Sequence, residues 1–294
     1  MNVDARNYEE LERALQRILW ALRAYLADLV IIGGWVPYLY RQYGPFPWTG
    51  RLALTGEVDV LIGRQLAPGD RPPITEILTA SGFRPASASD TPAVWMKDPD
   101  RGEKVEFMVP HAGHIGQLQA IVPIRHQRGL GGISLSSLEV MQQHTRRLTV
   151  PALRPERTGS GVEVQLPQLG AYVLNKGVTF LRRNTKIAPE KKAKDLLYLR
   201  DLMVAGSEIV AMIDDDVRLI EGDDRTRHLL DIAMSNLESA TRNERDLLIQ
   251  VSQILAERDG LSFEASQADV EGHLIDLLDV LRPYRSPDFT PVED

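Results

Sequence analysis

The sequence predicts an α+β domain followed by a helical domain, and two observations support this prediction. Before residue 167, short apolar and β-branched stretches alternate with turns rich in glycine and proline, which is typical of strands. After residue 167, apolar residues recur at three- and four-residue steps, which is typical of amphipathic helices. We therefore predict an α+β domain over residues 1–166 and a helical domain over residues 167–294.

The first domain is predicted to begin with a helix over residues 5–28, since leucines and isoleucines recur there at helical steps. A short apolar strand over residues 29–32 follows and ends at a glycine pair. A helix over residues 35–43 comes next, with Pro37 near its start, where a missing N–H costs little. The remaining elements predicted before residue 167 are strands over 52–62, 93–97, 104–109, 147–153 and 162–166, and helices over 74–81 and 138–144. After residue 167, helices are predicted over 168–182, 190–204, 207–220, 224–240, 243–258 and 267–281.

Composition excludes several classes of protein. The chain has 294 residues and a net charge of -7, which argues against a protein that coats nucleic acid nonspecifically. It has no cysteine, so disulfides and thiolate metal sites are excluded. The first dozen residues are polar and charged, unlike a signal peptide. The sequence contains no run of about 18 apolar residues, so no membrane span is predicted. We therefore expect a cytoplasmic protein.

Two carboxylates stand at alternate positions of one predicted strand, at Glu57 and Asp59. Residues i and i+2 of a strand share a face, so both side chains point the same way, with Cα atoms about 6.6 Å apart. Val58 and Val60 then point into a core. Two adjacent anions repel each other, and a divalent cation with oxygen ligands would hold them together. The simpler alternative is an edge strand with solvated carboxylates.

A third carboxylate, Glu106, lies on a later predicted strand with apolar neighbours. It is either part of an exposed face or part of a site. Carboxylates on adjacent strands can hold two cations about 3.5–4 Å apart, which activate an attacking hydroxyl and neutralise a triphosphate. The residues alone thus leave two interpretations open for Glu57, Asp59 and Glu106: a site for divalent cations or an exposed acidic face.

The glycine pair, Gly33-Gly34, lies at a predicted junction between a strand and a helix. Backbone N–H groups at such a junction can approach phosphate oxygens, and a helix N-terminus favours anions. Neither a Gly-Lys-Ser/Thr sequence nor a G-x-G-x-x-G pattern follows. Taken alone, the pair indicates only a turn.

The combination of these features resembles the DNA polymerase β-like nucleotidyltransferase superfamily. That resemblance implies a mixed sheet flanked by helices, with Glu57, Asp59 and Glu106 as metal ligands and catalytic residues. It places Gly33 and Gly34 at the phosphate turn and Thr55 among the nucleotide-binding residues. Two features depart from the usual pattern: the first carboxylate is Glu57 where the family usually has Asp, and the spacer that precedes it is longer.

The second half of the chain resembles the abortive-infection and toxin-type nucleotidyltransferases of the AbiEii and MenT kind. The resemblance rests on a helix lysine, Lys176, then arginines, then Lys194-Asp195 in a helix rich in leucine and tyrosine. It implies that Lys176 and Lys194 contact the nucleotide and that Asp195 completes the catalytic set. From Lys176 to Lys194, both included, the chain has seven basic residues and one acidic residue, which predicts a local cationic strip. Solvated lysines on amphipathic helices are the simpler alternative.

Together these resemblances imply an enzyme that transfers a nucleoside monophosphate from an NTP to an acceptor hydroxyl. Two Mg²⁺ ions are expected as cofactors, with Mn²⁺ as an alternative. The toxin-type resemblance suggests tRNA or another RNA as the acceptor and an antitoxin as a protein partner. The alternatives are transfer to a small molecule such as an antibiotic, a nucleotide-binding module that has lost catalysis, and a non-catalytic interaction protein.

Overall fold

The computed structural model describes residues 5–46, 48, 52–67, 69–98, 103–111, 120–151, 161–181, 189–287 and 289. The chain divides into two compact units. The first, here called the sheet unit, comprises Asp4–Leu39 and Leu54–Pro167. The second, here called the helical unit, comprises Met1–Val3, Tyr40–Ala53 and Gln168–Asp294.

The sheet unit is built on a mixed sheet. In chain order its strands are β1 (Leu29–Ile32), β2 (Glu57–Ile62), β3 (Arg84–Pro85), β4 (Val94–Asp98), β5 (Glu103–Pro110), β6 (Ile121–Pro123), β7 (Gly131–Leu135), β8 (Thr145–Val150) and β9 (Val162–Pro167). Seven of them follow the order β3-β4-β5-β2-β1-β9-β8, and β7 pairs with both β5 and β6. β1 and β2 are antiparallel, whereas β2 and β5 are parallel. β2 therefore has β1 on one side and β5 on the other.

Helices of the sheet unit are α1 (Ala5–Ala21), α2 (Trp35–Tyr43), α3 (Ile74–Ala80) and α4 (Leu138–Gln143). The end of α2, from Tyr40, belongs to the helical unit. Arg17 of α1 bonds Glu103 of β5, so α1 is tied to the face of β5 that carries Val105. The core of this unit combines apolar residues at helical steps with the inward residues of the strands, including Leu15, Ile18, Leu19, Ile31, Val58, Val60, Val105, Phe107 and Val164, all at most 1% exposed.

Helices make up the described elements of the second unit after residue 168. They are α5 (Leu169–Thr179), α6 (Pro189–Met203), α7 (Ser207–Ile220), α8 (Asp224–Arg242), α9 (Arg245–Asp259) and α10 (Phe263–Leu281). Side chains cap two of them: Asp223 accepts from Thr226 N before α8, and Ser262 accepts from Ala265 N before α10. α9 ends at Gly260, whose φ of 70° is the left-handed conformation common at helix ends.

The predicted fold class, an α+β part followed by helices, is confirmed. The bounds of α2 and α7 agree with those predicted from the sequence. Four differences stand out: β2 begins at Glu57 and not at residue 52, and the short strands β3, β6 and β7 were not predicted. The predicted domains, 1–166 and 167–294, differ from the compact units in the segment Tyr40–Ala53, which clusters with the helices.

Within the described part of the chain, no helix is long and apolar enough to cross a membrane.

Candidate active site

The predicted carboxylates lie on one face of two neighbouring parallel strands. Asp59 of β2 pairs in register with Glu106 of β5, and Glu57 pairs with Lys104. Paired residues of parallel strands point to the same side, and neighbouring strands lie about 4.8 Å apart. Four charged side chains, three anionic and one cationic, therefore share one patch of the sheet, here called the carboxylate patch (Glu57, Asp59, Lys104 and Glu106).

Lys104 links two of the carboxylates of this patch. Its Nζ lies 3.0 Å from Oε2 of Glu57 and also contacts Oε1 of Glu106. Burial lowers the pKa of Lys104, but the hydrogen bonds and charges of Glu106 and Glu57 outweigh that effect and raise it above its ordinary value. The ammonium thus stays charged at neutral pH and partly neutralises the patch.

Gly33 lies directly against the second carboxylate. Its φ is +73°, a left-handed conformation that side chains rarely adopt. A Cβ built on Gly33 would be 2.1 Å from Oδ2 of Asp59, closer than any real contact. β1 ends just before this turn, with Ile32 paired to Asp59. Only glycine at position 33 therefore leaves room for the Asp59 carboxylate.

The start of β2 is held by two side chains. Thr55 Oγ1 accepts a hydrogen bond from Glu57 N at 3.0 Å and lies 3.2 Å from the Glu57 carbonyl oxygen. Trp35 Nε1, at the start of α2, donates to that same carbonyl at 3.0 Å. Both residues are buried, so the backbone that carries Glu57 is fixed from two directions. Thr55, predicted to bind nucleotide, contacts the strand backbone in this structure; nucleotide binding stays a prediction.

The ligand atoms of the carboxylate patch suit a divalent cation, because Mg²⁺ and Mn²⁺ prefer carboxylate oxygens. It already holds one cation, the ammonium of Lys104, between Glu57 and Glu106. As the side chains lie, no group of three or more histidine, aspartate or glutamate residues within the described ranges is arranged around a single metal position. Metal binding would therefore require these side chains to rearrange, Lys104 above all.

In the helical unit, Lys176 of α5 and Asp195 of α6 form a buried ion pair. Nζ of Lys176 lies 2.6 Å from Oδ1 of Asp195, and the two side chains are only 8% and 2% exposed. The same Nζ lies 5.6 Å from the ring centre of Tyr172 and 5.3 Å from that of Tyr198. The lysine is thus paired with both a carboxylate and two aromatic faces.

Lys194 lies in α6 with its side chain partly exposed. Lys191 and Lys192 lie in the same helix and are likewise partly exposed. The other basic residues of the predicted cationic strip, Arg182, Arg183 and Lys186, fall outside the described residues. The strip as a whole therefore stays a prediction.

Sequence reasoning missed Lys104 and the bond from Trp35. Lys104 stands two residues before Glu106, so strand alternation alone places both on one face. The alternation does not reveal that Glu57 lies opposite Lys104, since that depends on the parallel pairing of β2 with β5. The Trp35 bond depends on the turn at Gly33 and has no sequence signal.

The turn at Gly33 lies against Asp59, and Asp59 lies beside Glu106 of the parallel strand β5. This arrangement is suited to phosphoryl-type transfer. The comparison with protein families agrees: residues 12–210, more than half of the chain, match a family described as Nucleotidyltransferase. The chain belongs to this nucleotidyltransferase family and is a transferase that uses a nucleotide substrate. A search of curated proteins finds no match.

Proposed function

We propose that this enzyme transfers a nucleoside monophosphate from an NTP to a hydroxyl of an RNA, such as tRNA, in the manner of a toxin-type nucleotidyltransferase. One observation carries the proposal: β2 and β5 align Glu57, Asp59 and Glu106 on one face, with Gly33 against Asp59. The resemblance to toxin-type members supports the choice of acceptor and an antitoxin as protein partner.

In this proposal, Glu57, Asp59 and Glu106 would hold the two metal ions. Two Mg²⁺ or Mn²⁺ ions, when bound, neutralise the triphosphate and make the acceptor hydroxyl easier to deprotonate. Glu106 then receives the hydroxyl proton. The acceptor oxygen forms a bond to the α-phosphorus, the bond to the β-phosphate oxygen breaks, and pyrophosphate leaves.

The turn at Gly33-Gly34 serves the phosphates in the same proposal. α2 begins at Trp35, directly after the turn, and its N-terminal N–H groups favour an anion. Thr55 and the bond from Trp35 keep Glu57 in place for metal binding.

Residues of the helical unit enter the proposal through the resemblance. Lys176 and Lys194 would contact the nucleotide, and Asp195 would orient Lys176, to which it is bonded at 2.6 Å. A lysine is a compact cation that offsets phosphate charge. The other basic residues of the predicted cationic strip would bind RNA phosphates.

The proposal is tested by the transfer of label from each of the four α-³²P-labelled NTPs to total tRNA, with Mg²⁺ and with EDTA. We expect labelled tRNA only with metal. The substitution Asp59→Asn should reduce transfer by roughly 100-fold or more, since loss of a group that stabilises transition-state charge costs about that much. Arg147→Gln is the matched control, because Arg147 pairs with Glu163 on an exposed part of the sheet away from β2.

Other outcomes separate the alternatives. Transfer to an aminoglycoside but not to RNA would favour a small-molecule acceptor. Tight binding of metal and NTP without any transfer would indicate a module that has lost catalysis. Absence of NTP binding would contradict every nucleotide-based function, including the one proposed.

A further inference from the structure

The carboxylate patch contains its own cation. Lys104 is directly opposite Glu57 across the β2–β5 pairing and two residues before Glu106 on its own strand. Its ammonium contacts one oxygen of each carboxylate. One oxygen of each of these carboxylates, Oε2 of Glu57 and Oε1 of Glu106, is therefore already in contact with a cation.

Electrostatics decides what happens when a metal approaches. The ammonium reduces the negative charge that a divalent cation would meet at the patch and also repels the cation directly, so it opposes metal binding there. Without Lys104, Glu57 and Glu106 would add to the charge of Asp59 and attract the metal. A metal and the Lys104 ammonium therefore compete for the same oxygens.

Lys104 is able to leave. Its side chain is 26% exposed, and lysine is a flexible side chain whose charged end reaches solvent easily. When the Lys104 ammonium moves away from the patch, its ion pairs with Glu57 and Glu106 are lost. Another anion that binds the ammonium would compensate for this loss. A nucleoside triphosphate brings such an anion together with the metal, and its phosphates would be bound on the same face of the sheet.

We propose that Lys104 is the resident counter-ion of the carboxylate patch and makes metal binding depend on the nucleotide. In the absence of nucleotide, its ammonium blocks Glu57 and Glu106 against free divalent ions. When the metal arrives as its NTP complex, the ammonium moves from the two glutamates to a phosphate oxygen. This inference rests on the proposed function, and it assigns to Lys104 a counter-ion and phosphate-binding role that the resemblance does not contain.

The test is direct binding of Mn²⁺ by the full-length protein, measured by electron paramagnetic resonance of free Mn²⁺, with and without a non-hydrolysable NTP analogue. In the wild type we expect weak binding of Mn²⁺ alone and much tighter binding with the analogue. In Lys104→Gln we expect binding of Mn²⁺ alone to be at least about tenfold tighter than in the wild type, so that the analogue adds less.

Two controls accompany this test. Arg147→Gln removes the same charge from the same sheet at an exposed pair and should leave Mn²⁺ affinity unchanged. Lys104→Arg keeps the charge and should keep binding of Mn²⁺ alone weak. Thermal unfolding of each variant shows that it is folded.

The results also separate this inference from the proposed function. Equal affinity of the wild type and Lys104→Gln for Mn²⁺ alone, with both binding the Mn²⁺–analogue complex, would overturn the role of Lys104 and leave the proposed function intact. Failure of the wild type to bind Mn²⁺ with the analogue would overturn the proposed metal chemistry. It would also overturn the dependence of metal binding on the nucleotide that is inferred for Lys104.

Discussion

At the scale of single residues, the site depends on how closely Gly33 approaches Asp59. The turn at the end of β1 places backbone where any side chain would meet the carboxylate, and its positive φ favours glycine independently. Gly33 thus determines both the space around Asp59 and the conformation of the turn that is proposed to face phosphate. A substitution there should affect both folding and chemistry.

Gly33→Ala tests this dependence, with Gly82→Ala as a matched control. Gly82 also has a positive φ, +87°, but a Cβ there would meet only the end of the Lys97 side chain at 3.5 Å. We expect Gly82→Ala to cost about 1–2 kcal/mol in the free energy of unfolding, the ordinary cost of a left-handed conformation. Gly33→Ala should cost more and should also abolish nucleotidyl transfer, since Asp59 must move. Urea unfolding and label transfer measure the two effects, and equal losses for both variants would contradict the steric argument.

At the scale of elements, an aspartate from one helix closes the end of another. Asp216 of α7 is buried, and its Oδ2 accepts from the backbone N of Leu169 at 2.7 Å and of Gly170 at 3.4 Å, at the start of α5. The sequence shows only a run of three aspartates, which predicts a solvated charge cluster. Because α5 packs against α7, the third aspartate, Asp216, caps the N-terminus of α5 although it is remote from it in sequence.

We expect Asp216→Ala to lower the free energy of unfolding by roughly 2 kcal/mol, because two buried N–H groups would lose their acceptor. Asp215→Ala is the matched control: its side chain is 71% exposed and pairs only loosely with Arg218, so its loss should be near zero. Chemical denaturation followed by far-UV circular dichroism measures both. A similar loss in the two variants would show that charge in α7, and not the cap, is responsible.

At the scale of the whole molecule, the chain leaves the sheet unit and returns to it. The segment Tyr40–Ala53 clusters with the helices, between two stretches that belong to the sheet unit. Within the helical unit, the N–H of Ala53 donates to Oδ2 of Asp201 at 3.0 Å. Both oxygens of Asp201 also accept from Nη1 of Arg258, at 2.9 and 2.8 Å. Burial lowers the pKa of Arg258, but Asp201 and Asp259 outweigh that effect and raise it.

Asp201→Ala should therefore destabilise the helical unit by roughly 1–3 kcal/mol, because Nη1 of Arg258 and the N–H of Ala53 lose their acceptor while Asp259 still pairs with the arginine. We also expect faster proteolysis near Ala53, which loses its anchor on α6. Asp279→Ala is the control, since Asp279 forms an exposed ion pair with Arg282 and should have little effect. Thermal unfolding with limited proteolysis and mass spectrometry tests both statements. Unchanged cleavage near Ala53 would show that other contacts hold the segment.

Much of the fold was predictable because most elements have a clear hydrophobic period. The strand β7, which was not predicted, shows why other elements could not be recognised from the sequence. Gly131 and Gly132 begin β7, and a Cβ on them would lie 2.3 Å from Thr91 O and 2.6 Å from Val109 Cγ1. Because close packing requires glycine at these two positions, β7 begins without the β-branched residues by which strands are recognised from sequence.

The candidate site was predictable in its carboxylates, since alternation along β2 and β5 fixes their faces. Its cation was not, because Lys104 meets Glu57 only through the pairing of two strands separated by more than 40 residues. Similarly, the pairing of Lys176 with Asp195 depends on the packing of α5 against α6, which the sequence does not specify.

The pairing of Glu57 with Lys104 also has an evolutionary consequence. The longer glutamate, where the superfamily usually has aspartate, reaches the ammonium on the neighbouring strand. We therefore expect the two positions to change together in evolution, because the loss of either residue removes this ion pair. Family members with aspartate at the position of Glu57 should lack a basic residue opposite it. Residue 104 would then serve as a marker, visible in an alignment, of a lineage in which the carboxylates of the patch evolved together with their own cation.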